Sequence, residues 1–206
     1  MTGYVQSYAY IATWMIALVC FLIVIWDNPK FVLAGLCVAY ALAAWMVVTS
    51  LPLSSGGAKF IAGLVACGII YIGLSGSGWD EEADHFHPIP TGKPFRIGAS
   101  LLVLLAAIGL TNNISTLMPE LLSGVAQGAM MLLATGILFL GLFDSAFRVG
   151  IGLLLLLAGF DILYSSVEPS LAVVALLAFI HIGIALVVSY LLLLYTSKPP
   201  HERTGT

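Results

Sequence analysis

Asp161 and His181 are the residues of this chain whose types and placement could move a proton. Asp161 stands in "AGFDILYSS" and His181 in "LLAFIHIGIA", each inside a long apolar run. An imidazole exchanges protons near neutral pH. A charged side chain in hydrocarbon costs about 2.5–3.5 kcal/mol on insertion scales, so an intramembrane aspartate is neutral, paired or beside water. Proton handling is one reading of the two. The other is packing, with Asp161 protonated and hydrogen-bonded to Tyr164, Ser165 or a neighbouring subunit, and His181 bonded to a carbonyl across a helix interface.

Two antiparallel helices joined at "SSVEPS" (165–170) would position them. At a rise of 1.5 Å per residue, Asp161 lies roughly 9 Å from the outer end of its helix. It should face about residue 177, with His181 about one helical turn deeper.

Other polar residues carry weaker signals. Gln127, Thr135, Ser100, Ser189 and Tyr190 read as helix-packing groups. Gly124 and Gly128, in "GVAQG", form a GxxxG that permits close helix approach. The loop "WDEEADHFHPIP" holds Asp84, His85 and His87, a His-x-His beside carboxylates. It reads as a partner-contacting loop, with metal ligation the weaker alternative because no second ligand cluster accompanies it. Cys20, Cys37 and Cys67 fall in apolar runs and read as small buried hydrophobes.

The elements behind these residues follow from composition. Of 206 residues, 61% are hydrophobic and 8% charged, and the mean hydropathy is +1.09. Such a chain lacks the polar surface of a water-soluble domain and reads as an all-α, polytopic membrane protein. A span needs about 20 apolar residues. Dividing the chain at its breakers predicts seven helices, near 4–26, 31–51, 59–76, 96–112, 119–143, 147–166 and 170–196. The breakers are "DNPK", "PLSSGG", the loop 75–94, "NNIST", "DSAF" and "SSVEPS". The chain divides into a three-helix segment (1–76), a polar cytoplasmic loop (77–95) and a four-helix segment with a short tail (96–206). The first apolar run lacks a basic leader and a cleavage pattern, so it reads as the first span rather than a signal peptide.

With seven spans, Lys30, Lys93, Arg96, Arg148, Lys198 and Arg203 fall on one side and Lys59 alone on the other. The positive-inside rule then puts the N-terminus outside and the C-terminus in the cytoplasm. The membrane expected is the bacterial cytoplasmic one.

Several chemistries are excluded. A retinal protein needs a lysine in its last span, and the first lysine there is Lys198, in the tail. A bis-histidine haem needs two intramembrane histidines. No phosphate-binding loop or hydrolase nucleophile motif occurs. Nothing favours nucleic acid, and no cofactor is called for.

The last three spans, from "MPELLSG" to "VVSYLLLL", resemble the three-helix K subunit of bacterial complex I, a family related to the C subunit of Mrp antiporters and the E component of energy-converting hydrogenases. The matching features are a basic first turn in "GLFDSAFRVGIGL", an "IGL" opening the middle helix, and "IHIGIALVVSYLL" in the last. The resemblance implies a membrane subunit of a proton-translocating complex. Where that family carries glutamates, this chain has Leu153 and Phe179, so Asp161 and His181 would have to serve instead. The expectation is a non-catalytic membrane subunit of a multisubunit bioenergetic complex (respiratory, photosynthetic or ion-translocating), mainly structural, contacting other membrane subunits and lipids. Any proton step would centre on Asp161 and His181. The alternative is a self-contained small transporter or channel.

Overall fold

The structure, a computed structural model, describes residues 2–50, 53–77, 92–117, 123–167 and 170–197. Every element among them is helical. These are α1 (Thr2–Ile25), α2 (Pro29–Ser50), α3 (Leu53–Ser77), α4 (Lys93–Leu117), α5 (Ser123–Leu142), α6 (Ala146–Val167) and α7 (Leu171–Ser197). Helices are the expected solution, because hydrocarbon offers backbone N–H and C=O groups no partners outside the segment itself. Six of them, α2 to α7, contain apolar stretches of 19–23 residues, long enough to cross a membrane, and α1 is apolar over Tyr10–Ile25. The architecture is that of an integral membrane protein.

Local sequence starts the helices. Asn28 caps α2: its side-chain oxygen accepts from the Lys30 amide at 3.0 Å, its carbonyl accepts from Phe31 and Val32, and Pro29 occupies the first helical position. Ser145 begins α6 in the same way, accepting from the Arg148 amide through its hydroxyl at 3.4 Å and from Val149 through its carbonyl. Two expected breakers are instead helical. Residues 53–57 of "PLSSGG" form the first turns of α3, and "NNIST" continues α4 to Leu117. Ser, Asn, Thr and Gly cost a helix at most about 1 kcal/mol each. Unpaired backbone at the edge of a lipid phase costs more.

The seven helices form one interleaved bundle. α2 is central and packs on α1, α3, α5 and α6. The most extensive partnerships are α3 with α7 and α5 with α6. α4 lies at the periphery against α5 and α1. Helices from both sides of the expected 77–95 loop therefore pack directly on one another, and α4 already begins within those bounds, at Lys93. Small residues set the close approaches. A Cβ added at Gly136 would lie 2.6 Å from the Leu156 amide, and one at Gly159 would lie 2.7 Å from the Ala129 carbonyl, so α5 and α6 meet almost backbone to backbone. Gly128 receives Met46 of α2, while the Gly124 carbonyl accepts a 2.7 Å hydrogen bond from Thr13 of α1. The GxxxG thus faces α1 and α2 rather than α6. The core is largely apolar, with Ile16, Leu36, Met46, Ile70, Met131, Phe139, Leu154 and Leu155 fully buried.

Candidate functional site

Asp161 is paired with a residue that the sequence reading assigned to the membrane surface. The Lys59 ammonium lies 2.8 Å from Asp161 Oδ1, and each side chain is only 9% exposed. The same ammonium donates to the Asp161 backbone carbonyl at 3.1 Å, so one lysine grips both the charge and the backbone of one aspartate. Lys59 stands about two turns into α3 and Asp161 about two turns before the end of α6, which sets both near the same end of the bundle. The expected partners of Asp161 are engaged elsewhere: the Ser165 hydroxyl donates to the Ile162 carbonyl at 2.8 Å, and the Tyr164 ring stacks on Phe160. Lys59 is therefore a bundle residue and not a topology charge. Asp161 and His181 are not the only strongly ionisable groups inside the protein.

His181 is 3% exposed. It donates its Nδ1–H to the Leu177 carbonyl at 2.8 Å, one turn back in α7 and not across an interface as expected. A carbonyl can only accept, so this bond places the proton on Nδ1 and leaves Nε2 of the neutral ring as a lone-pair acceptor. Nε2 is buried with no hydrogen-bond partner. Tyr40 of α2 meets the imidazole edge-on, with ring centroids 5.5 Å apart. Its ring lies against Gly63 of α3, where an added Cβ would fall 2.5 Å from Cγ. The Tyr40 hydroxyl is likewise buried without a hydrogen-bond partner, and Asp161 Oδ1 has only its ion pair.

These four side chains line one cavity of about 20 Å³, walled otherwise by apolar residues of α2, α3, α6 and α7 such as Ala43, Ala62, Ala158 and Ala178. That space holds about one water-sized molecule, and its lining supplies the 2–4 polar partners that a buried water requires. The arrangement can hold a proton on any of three groups: carboxylate, imidazole or amine. Sequence reasoning found Asp161 and His181 and missed Lys59 and Tyr40. The available signal was Lys59 itself, the one basic residue that opposed the charge bias of the other six.

The remaining candidates lie elsewhere. Thr135 and Ser100 donate to carbonyls of their own helices, at 2.7 Å and 3.0 Å. Ser189 is buried against Gly73 of α3, Tyr190 is exposed, and Gln127 is half-buried. The thiols of Cys37 and Cys67 meet across the α2–α3 interface. Asp84, His85 and His87 fall outside the described residues. Among the described residues, no three His, Cys, Asp or Glu side chains gather as metal ligands.

Leu153 and Phe179, the positions aligned with the glutamates of the complex I K subunit, both line an outward apolar groove of about 430 Å³ between α6 and α7. Asp161 and His181 instead line the inner cavity that these helices share with α2 and α3. Comparisons with family models, characterised proteins and solved structures yield no match.

Proposed function

We propose that the chain is an integral membrane subunit of a multisubunit, ion-translocating bioenergetic assembly. Its role is mainly structural, and Lys59, Asp161, His181 and Tyr40 form a proton-exchanging site within it. All seven helices cross the bacterial cytoplasmic membrane, with the N-terminus outside and the C-terminus in the cytoplasm. Support for that orientation comes from Lys93, Arg96 and Arg148, which meet at one end of the bundle around Asp27. Lys59, the one basic residue that opposed the bias, is withdrawn into an ion pair.

The observation that carries the proton reading is the convergence of a buried ion pair with two unpartnered polar atoms on a water-sized cavity. Each unsatisfied buried group costs about 1–3 kcal/mol, so a water in the cavity that bonds to them would stabilise the cluster. With one water bridging the cavity, the Lys59 ammonium passes a proton through it to His181 Nε2 and becomes a neutral amine, and Asp161 serves as counter-ion to whichever of the two is charged. Away from this site the largest fully buried side chains are apolar, and Thr135 is bonded within its own helix. The described residues thus provide half of a polar route and not a whole one, which favours a subunit completed by neighbours over a self-contained transporter.

His181→Gln and the double variant Lys59→Met/Asp161→Leu in the native assembly should each lower proton coupling while leaving co-purifying partners in place. Unchanged coupling with both variants would leave a scaffold only. Specific proton flux from the purified chain alone in liposomes would establish the transporter reading instead.

A further inference from the structure

The opposite end of the bundle carries a second charged cluster, built from four helix ends. The Asp27 carboxylate, in the turn between α1 and α2, ion-pairs with Arg96 of α4, with Lys93 of α4 at 3.4 Å and with Arg148 of α6 at 3.8 Å. Arg148 also donates to the Asp27 backbone carbonyl at 3.3 Å. Both guanidinium groups lie over the ring of Phe143, at 4.2 Å for Arg148 and 4.9 Å for Arg96. One carboxylate thus faces three cations, two of them held on the same ring. Lys30 adds a fourth cation at this end of α2, against one more acid, Asp144. Arg96 is 15% exposed, and its Nε is buried without a hydrogen-bond partner. Like charges so arranged repel one another, and a further anion would relieve them.

The surroundings indicate which anion. Trp26 and Phe31 pack together with ring centroids 5.3 Å apart, and both are exposed, as are Phe95 and Ile97 beside Arg96. Aromatic rings at span ends sit at headgroup level, and basic pockets between spans bind acidic headgroups. We propose that Lys93 and Arg96, with Asp27 held from behind by the buried Arg148, bind the phosphate of an anionic phospholipid, with its acyl chains against Trp26, Phe31 and Phe95. The site is independent of the proton cluster and takes a lipid as structural ligand.

The test titrates the purified full chain in mild detergent with dioleoyl phosphatidylglycerol, dioleoyl phosphatidylcholine or inorganic phosphate, reading the thermal midpoint and lipid adducts by native mass spectrometry. Phosphatidylglycerol should raise the midpoint and give an adduct, and the other two should do neither. Lys93→Gln and Arg96→Gln should each weaken the apparent affinity about fivefold, the worth of one surface cation. Raising NaCl to about 0.5 M should weaken it further. Lys93 is 71% exposed, so its variant tests the site even if Arg96→Gln fails to fold. Equal shifts with phosphatidylcholine, equal shifts with inorganic phosphate, or unchanged affinity in Lys93→Gln would each overturn the proposal.

Discussion

Lys59 and Asp161 cannot be varied independently, because removing either strands the other's charge in a place where it is only 9% exposed. Breaking a buried pair from one side costs about 3–5 kcal/mol, whereas replacing both partners by apolar residues is often neutral. Asp161→Leu or Lys59→Met alone should therefore lower the detergent unfolding midpoint sharply, and the double variant should recover most of the loss. Additive losses would show that the pair is not coupled. Gly63 positions Tyr40, since an added Cβ would fall 2.5 Å from its ring. Gly63→Ala should displace the phenol from the cavity and cost about 1–3 kcal/mol by overpacking, read as a lower midpoint that Tyr40→Leu partly restores. Asp161 and His181 were legible in the sequence because ionisable groups are rare in apolar runs. Their partners were not: Lys59 lies 102 residues from Asp161, and Tyr40 looks like any aromatic in a span. Only the fold brings the four together.

The all-helical class and the long apolar helices were legible, since apolar runs and breakers report them directly. Helix ends were less so, because polar residues at 53–57 and 112–117 stay helical. Pairing was hidden as well. A hairpin reading makes α6 the natural partner of α7, but α7 packs mainly on α3, guided by glycines such as Gly73 opposite Ser189. The meeting of Cys37 and Cys67 tests the neighbouring α2–α3 register. Copper-phenanthroline oxidation should form an intramolecular disulfide there and leave Cys20 titratable by a thiol reagent after denaturation; persistence of all three thiols would contradict this packing. Asp27 ties the α1–α2 turn to α4 and α6. Partial burial acts to raise its pKa, but the Arg96 hydrogen bond and charge, followed by those of Lys93, outweigh it and hold the carboxyl below its ordinary 3.8. A lowered folded-state pKa stabilises at pH above the unfolded value and is lost as pH falls through the folded one. This contribution should be constant from neutral pH down to about 4 and fade below it. Asp27→Asn should remove that part of the acid sensitivity of the unfolding midpoint.

At the scale of the whole molecule, membrane class follows from composition, while sidedness rests on charge placement. In a Cys20, Cys37 and Cys67 to Ala background, Thr2→Cys should react with an impermeant maleimide added outside intact cells and Thr206→Cys only after lysis. The reverse pattern would invert the bundle. The pairing of Lys59 with Asp161 also has a consequence in time. Their separation of 102 residues means that, at about 5–20 residues per second, α3 enters the membrane roughly 5–20 s before the ribosome has made its counter-ion. Lys59 spends that interval without Asp161, and its place near the start of α3 lets the ammonium reach the headgroups until α6 arrives. A place so near the helix start suits a charge that must wait for its partner during synthesis.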